Sequence, residues 1–496
     1  MIPLSQSKLQ DVDYDVIIVG AGISGIGLAS RLQVRNPDLS YCILESRHEV
    51  GGTWSLFQYP GIRSDSDLYT FGYSWRPWNE RSAIAHGSKI AQYLKECAAQ
   101  EGIDQKIKFH HRVTRAEWST EAKKWTLDLT DGESARGKTL SARFLFFGTG
   151  YYDYHRGRNA NIPGLSDFQG TVVHPQFWPR DLDYADKNIV IIGSGATAVT
   201  LLPAVSEKAS HVTMLQRSPS YIVSIPREDA IERAIRLACP RGLAAKLIRF
   251  KWILLPLLQV RYCQWFPRVA RRMLRSMTKK ELPVGMSLDP NFDPKYWPWE
   301  QRLCMCPDGD FYEALRSGKG SVKTGVIDTV TKIGIRLKSG EELAPDIIVT
   351  ATGLKMQAAG GVKFIVDGQD FRISEHYMWR AAMLDGLPNA ILSFGYVDAS
   401  WTLGLEATAE LACRLLRKMQ KDKFSMIVPR YESNEKTRLR EEGFMKLNST
   451  YVQEGNADMP RFAAQSVWRR RSYYWRDIFS ARWGSIKTGL EWSMEV

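Results

Sequence analysis

No stretch of the chain approaches the ~18 uninterrupted apolar residues of a membrane-spanning helix, so none is expected. Met1–Asp13 mixes Ser, Gln, Lys and Asp without an apolar run and is read as no signal peptide. The terminal Trp-Ser-Met-Glu-Val is neither a prenylation box nor a peroxisomal tripeptide. Cysteine is sparse: seven in 496 residues, an odd number without a C-x-x-C pair. That excludes a disulfide-stapled scaffold and suits a reducing, cytoplasmic setting. The nearest pair, Cys304 and Cys306, is expected to point to opposite faces of an extended segment and so to make a poor dithiol. His110-His111 has no metal-ligand companions, so these residues are read as structural and no metal is expected. Acid is missing locally: Arg241 to Lys280 holds eleven Lys or Arg and no Asp or Glu, within a net charge of +13.

What is present is the composition of a globular protein, 44% hydrophobic and 24% charged, in a chain long enough for two or three domains. Asp13-Tyr-Asp-Val-Ile-Ile-Val-Gly20 has the β-branched character of a buried parallel strand. Gly20-Ala-Gly22-Ile-Ser24-Gly25 then opens a helix, and Tyr41 to Glu45 supplies the next strand. The pattern repeats with Asn188 to Ile192, the turn Gly193-Ser-Gly195-Ala-Thr-Ala198, a helix, and a strand from His211 to Leu215. This duplication predicts an α/β protein with two Rossmann-type dinucleotide-binding domains.

Arg143–Gly150 and Asp346–Gly353 read as crossings between the domains. The predicted layout is a first domain in two parts, residues 1–150 and 354–496, around a second at 151–353. A basic helical insertion occupies about 225–300, and Glu432–Glu442 reads as an exposed helix or mobile loop.

Each glycine loop lets backbone amides at a helix N-terminus approach a pyrophosphate. Glu45, twenty residues after Gly25, stands where a carboxylate accepts ribose hydroxyls, as for the adenosine end of FAD. The second strand ends instead in Gln216-Arg217-Ser218. A guanidinium binds a 2′-phosphate that a carboxylate would repel, so the second nucleotide is expected to be NADPH.

Two further motifs flank these loops. Gly51-Gly52-Thr53-Trp54-Ser55-Leu56-Phe-Gln-Tyr59-Pro-Gly61-Ile-Arg63-Ser64-Asp65 follows the first, and Phe168-Gln-Gly170-Thr-Val-Val-His174-Pro-Gln-Phe-Trp178-Pro179 precedes the second. They resemble the fingerprints G-G-x-W-x4-Y-P-G-x3-D and F-x-G-x3-H-x3-W-P of Baeyer–Villiger monooxygenases, a branch of the class B flavoproteins. The resemblance runs from Asp13 to about Trp401. It implies FAD contacts at Ser24, Glu45, Thr53 to Leu56, Asp65 and Val113. It implies NADP contacts at Arg63, Ser64, Asp65, the run Gly193, Ser194, Gly195, Ala196, Thr197, Ala198, Val199, and at Arg217 and Ser218. Gly20, Gly22, Gly25 and Gly52 belong to the cofactor loops themselves.

The resemblance makes Arg302, in Pro298-Trp-Glu-Gln-Arg302-Leu303, the transition-state stabiliser, with Asp65 its counter-ion. A flavin C4a-peroxide attacking a ketone must remain an anion, and a guanidinium stabilises it without donating a proton. His174 is read as a hinge or packing residue. Where many relatives carry Lys before this arginine, the chain has Gln301.

The expected activity is therefore NADPH- and O2-dependent insertion of oxygen into a small ketone, giving an ester or lactone. The alternative is heteroatom oxygenation of amines, sulfides or thioamides. Trp178-Pro179 speaks against it, because such enzymes carry Tyr or Phe at that position. An inactive membrane-docked NADPH-binding protein would not retain Asp65 and Arg302, and a flavin disulfide reductase would need a dithiol. The basic segment Arg241–Lys280 reads either as a solvated helical face or as a peripheral contact with an anionic membrane. No recognition module for nucleic acid accompanies it.

Overall fold

The computed structural model describes residues 12–131, 134–431 and 438–494. Most of the N-terminal leader, residues 432–437 of the charge-dense stretch and the last two residues lie outside the described residues. Of that stretch, Glu441–Glu442 is neither helix nor loop but pairs antiparallel with Phe462–Ala463.

The first domain is built on β1 (Tyr14–Val19), α1 (Ile23–Arg35), β2 (Tyr41–Leu44) and the C-terminal part of β3 (Ser134–Phe147). These strands run parallel, in the order Ala390–Leu392, β3, β1, β2, Ile107–Lys108. Alternation along β1 explains its double burial. Val16 and Ile18 face the core beneath α1, while Ile17 and Val19 face a second core containing Trp118 and Trp125. The tight entry to α1 requires glycine, since a Cβ on Gly25 would lie 1.9 Å from the Gly20 carbonyl oxygen. The N-terminal half of β3 turns antiparallel onto Lys124–Asp131, extending the sheet outward.

The second domain repeats the plan with β4 (Asn188–Ile192), α2 (Ala196–Ser206), β5 (His211–Gln216) and β6 (Ile347–Thr350). Its parallel sheet has the order Gly320–Thr324, β5, β4, β6, Thr171–Val173. The two crossings are tied together: Asp153 N–H donates to the Lys355 carbonyl at 2.9 Å, and Lys355 Nζ lies 3.2 Å from the Asp153 carboxylate.

Cys304 and Cys306 lie on the strand Cys304–Pro307 and are both buried. Residues two apart on a strand share a face, so they do not point to opposite sides as expected. Burial raises both thiols to about 12, which makes them packing residues in the core of the second domain rather than a redox pair.

Three helices form the insertion: α3 (Ala230–Ala238), α4 (Arg241–Trp265) and α5 (Pro267–Glu281). Asp229 caps α3 by accepting from the N–H groups of Ile231 and Glu232. Not all of the basic segment is solvated. Arg249 pairs with Glu406 at 2.9 Å and donates to the Tyr69 and Gly72 carbonyls, while Lys251 pairs with Asp229 and Glu232. Arg271 and Arg275 pair with Asp293. Glu406 belongs to α6 (Trp401–Asp422), a largely buried helix of the first domain that packs against α1 and α7 (Tyr474–Trp483). The insertion of one domain is thereby clamped to the other.

Candidate active site

A cavity of about 920 Å3 opens where the C-terminal ends of the two parallel sheets face one another. Ligands of open α/β sheets bind at this edge. Gly22, Ser24, Gly52, Thr53 and Trp54 line it from the first domain, and Gly193 to Thr197, Arg217 and Ser218 from the second. Arg63, Asp65 and Arg302 line it between them.

The loops have the shape a dinucleotide needs. Gly20 and Gly193 sit at φ +101° and +144°, and a Cβ on Gly193 would come 2.2 Å from the Ala351 carbonyl oxygen. The first amides of α1 and α2 carry no side-chain cap, which leaves donors free for phosphate oxygens. Glu45 is buried at the end of β2 and fixed by the N–H groups of Ala21 at 2.7 Å and Arg47 at 2.9 Å. Arg217 donates to Thr450 Oγ1 at 3.0 Å, and among the described residues no carboxylate pairs with it. Its neighbour Gln216 turns inward, onto the Asn291 carbonyl and Thr324 Oγ1. The residues therefore fit FAD in the first loop and a 2′-phosphorylated nicotinamide nucleotide in the second.

Arg302 and Asp65, 237 positions apart in the chain, meet at 3.1 Å on the cavity wall. Burial opposes the charge on Arg302, but Asp65, with Tyr151, Tyr451 and Tyr152, outweighs it and holds the guanidinium above its ordinary value. Around the pair lies an aromatic wall that the sequence reading did not pick out. Tyr151 stacks on Trp401 at 5.2 Å, Tyr152 OH donates to Tyr151 OH at 2.7 Å, and burial lifts the Tyr451 hydroxyl to about 12. The Tyr-Tyr pair directly after Gly150, at the outbound crossing, was the available signal. Asp398 also lines the cavity, its carboxyl raised by burial.

Several residues implied as contacts are engaged elsewhere. Arg63 forms a two-pronged pair with Asp310, one contact at 3.2 Å. Ser24 accepts from Trp401 Nε1 at 2.9 Å. Ser55 accepts from Arg47 at 2.7 Å, and Ser64 accepts from the Ala85 N–H. Leu56 packs on the core of the second domain, while Val113, Ala198 and Val199 are buried. Backbone atoms are what these last residues can offer a cofactor. Trp54 packs edge-on against Phe71 at 5.5 Å with its ring on the cavity, and Thr53 Oγ1 lies 3.0 Å from Tyr154 OH.

His174 does not line the cavity. Its Nδ1 accepts from the Gln176 N–H at 3.2 Å, its ring fills the space a Cβ on Gly157 would need, and burial lowers its pKa. His111 Nδ1 bonds the Phe109 carbonyl at 2.6 Å.

The fold and site thus define a flavoprotein oxidoreductase that holds two dinucleotides across one cleft. Residues 17–228 match the family model of pyridine nucleotide-disulphide oxidoreductases. The FAD-containing monooxygenase EthA of Mycobacterium tuberculosis is 45% identical over 473 residues, 95% of this chain and 96% of that protein. Among solved structures, OTEMO in complex with FAD and NADP shares the fold with a TM-score of 0.74 at 19% identity, covering 98% of this chain and 100% of that one. Cyclohexanone monooxygenase bound to ε-caprolactone gives 0.73 at 17% identity, covering 97% and 99%. The chain belongs to the EthA-like FAD-containing monooxygenases, and its two glycine loops have the shape that FAD and NADP require.

Proposed function

We propose that this monooxygenase inserts one atom of O2 into a small ketone to give an ester or lactone, using NADPH as reductant. The observation that carries the reading is the Arg302–Asp65 pair at 3.1 Å, set where both nucleotide loops converge on one cavity. Bound FAD, reduced by NADPH, supplies the activated oxygen. Arg302 then neutralises the anionic oxygen that forms when the carbonyl is attacked, and its pKa keeps it from giving up a proton. Asp65 holds the guanidinium against the cavity wall and balances its charge between turnovers. Arg217 selects the 2′-phosphate, and the Gly20–Gly25 and Gly193–Ala198 turns cradle the two pyrophosphates.

A second reading has one observation in its favour. Oxygen transfer to an amine, sulfide or thioamide needs a proton that ketone insertion does not, and the raised carboxyl of Asp398 on the cavity wall could hold it. Peripheral contact with an anionic membrane through Arg241–Lys280 also belongs to the proposal. Seven of the eleven basic residues there, Arg241, Lys246, Arg261, Arg268, Arg272, Lys279 and Lys280, meet no carboxylate among the described residues. No helix among the described residues is long and apolar enough to cross a membrane.

The test is a panel of ketones and sulfides incubated with the FAD-loaded enzyme, NADPH and O2, with products analysed by mass. Esters or lactones one oxygen heavier than the ketone support the first reading. Sulfoxides formed while every ketone survives would replace it with the second.

A further inference from the structure

The outer face of α4 is apolar at helical spacing. Leu243, Leu247, Phe250, Leu254 and Leu258 follow one another at intervals of four, three, four and four residues, and all but the partly covered Leu254 are exposed. On α7, Trp475, Phe479 and Trp483 form a second stripe at intervals of four, exposed by 41%, 62% and 63%. The Phe250 and Trp475 rings touch, with centroids 5.9 Å apart, so the two stripes form one surface. Such a continuous apolar face is unusual on a protein that meets only water. From Arg241 to Lys280 its charge has one sign, and the first acid comes only at Glu281, the last residue of α5.

The same helix has a second, inner face. Trp252, Ile253, Pro256 and Leu257 of α4 line the cavity that holds Arg302, and so do Tyr473 and Tyr474 at the start of α7. Trp475 belongs to both the cavity wall and the exposed stripe. The boundary between α4 and Tyr473–Trp475 is therefore the place where an apolar surface continues into the substrate cavity.

We infer that α4, α5 and α7 seat this enzyme in the headgroup layer of an anionic membrane, and that a ketone with a long apolar chain enters the cavity directly from the leaflet along the seam between α4 and Tyr473–Trp475. The inference rests on the ketone reading above and narrows it to amphiphilic ketones that partition into lipid. Lys and Arg draw the face to acidic headgroups, and the Leu, Phe and Trp side chains enter the acyl boundary. The ketone's chain lies along Trp252, Pro256 and Leu257 with its carbonyl toward Arg302, so it need not cross water.

The test compares the FAD-loaded wild type with Phe479→Ser/Trp483→Ser, two positions outside the cavity. The wild type floats with phosphatidylglycerol-containing vesicles at low salt, less at high salt, and not with phosphatidylcholine alone. A long-chain ketone carried in the anionic vesicles has a KM about tenfold lower than in neutral ones, an advantage the double variant loses. Turnover of a short, water-soluble ketone is the same in both proteins, which shows that the variant is folded. The inference is overturned if the variant floats and turns over the vesicle-borne ketone as the wild type does. It is also overturned if light scattering finds a wild-type dimer, a monomeric variant and no flotation, because a second copy then covers the face. Vesicle binding that persists while no ketone of any length is oxidised sinks the ketone reading and the entry route together.

Discussion

Arg302 can act as an anion-stabilising group because it has a carboxylate for a neighbour and keeps its proton at any pH an enzyme meets. Hydride transfer from NADPH to the flavin needs no such group. Arg302→Ala is therefore expected to leave stopped-flow flavin reduction close to wild type while lowering ester formation by about 10²–10³. Normal ester yield would remove Arg302 from the mechanism.

Arg217, unlike Arg302, has no described carboxylate against it on the cavity wall. Its loss should raise the KM for NADPH by roughly ten- to a hundredfold and leave that for NADH nearly unchanged, since a charge-assisted bond is worth about 1.5–3 kcal/mol. Equal weakening of both would place phosphate recognition elsewhere.

Asp67 supplies a pH dependence. Burial pushes its carboxyl up to about 6, against the bonds it accepts from Thr70 N–H and Oγ1 and the nearby charge of Arg249, with Glu232 adding to the rise. A raised folded value means that stability is whole below the ordinary carboxylate range and is lost as pH rises through about 6. Asp67→Asn keeps an acceptor for the Thr70 N–H and never ionises. Urea melts should show the variant more stable by up to roughly 3 kcal/mol at neutral pH, with the difference vanishing near pH 4. A gain that persists in acid would mean that ionisation is not its cause.

At the scale of elements, α4 does two jobs that pull its composition in opposite directions. Its outer stripe is apolar, yet Arg249 on the inner side is largely buried against Glu406, which also takes Tyr474 OH at 2.9 Å and the Ser74 N–H at 3.2 Å. Removing one partner of a buried pair typically costs about 3–5 kcal/mol because the other charge is left stranded. Arg249→Met should lower stability by that order, and adding Glu406→Gln should recover much of it. A thermal double-mutant cycle measures the coupling; additive losses would show that the pair is not the clamp between insertion and α6. The Asp153–Lys355 tie works at this scale too, joining both crossings without entering the cavity.

For the whole molecule, the cleft between the two sheets is where binding energy couples to folding. A dinucleotide that bridges Glu45, the α1 N-terminus and Trp54 binds only the folded first domain. FAD at a hundred times its Kd should therefore stabilise the apoprotein by about 2.7 kcal/mol, read as a rise in Tm with ligand concentration. NADP should add an increment that Arg217→Ala removes. No rise with FAD would contradict the assignment of the first loop.

Strands, glycine turns and the two β-α-β repeats were legible in the chain because they depend on local quantities: φ at Gly20 and Gly193, the absence of a Cβ at Gly25, and the unbroken β-branched runs of β1 and β4. The acid at Glu45 and its absence at Gln216-Arg217 were legible for the same reason, since each stands at a set distance from its own turn. Tertiary structure alone decided what depends on neighbours distant in sequence. It brought Arg302 to Asp65, engaged Arg63 with Asp310, and built the wall of Tyr151, Tyr152, Tyr451 and Trp401 from three separate segments. It also divided the basic insertion into charges held in ion pairs, Arg249 to α6 and Lys251, Arg271 and Arg275 within the insertion, and charges that meet no described carboxylate. Whether a charge is buried or free is a property of everything packed around it, whereas the backbone conformation of a glycine turn is set within a few residues.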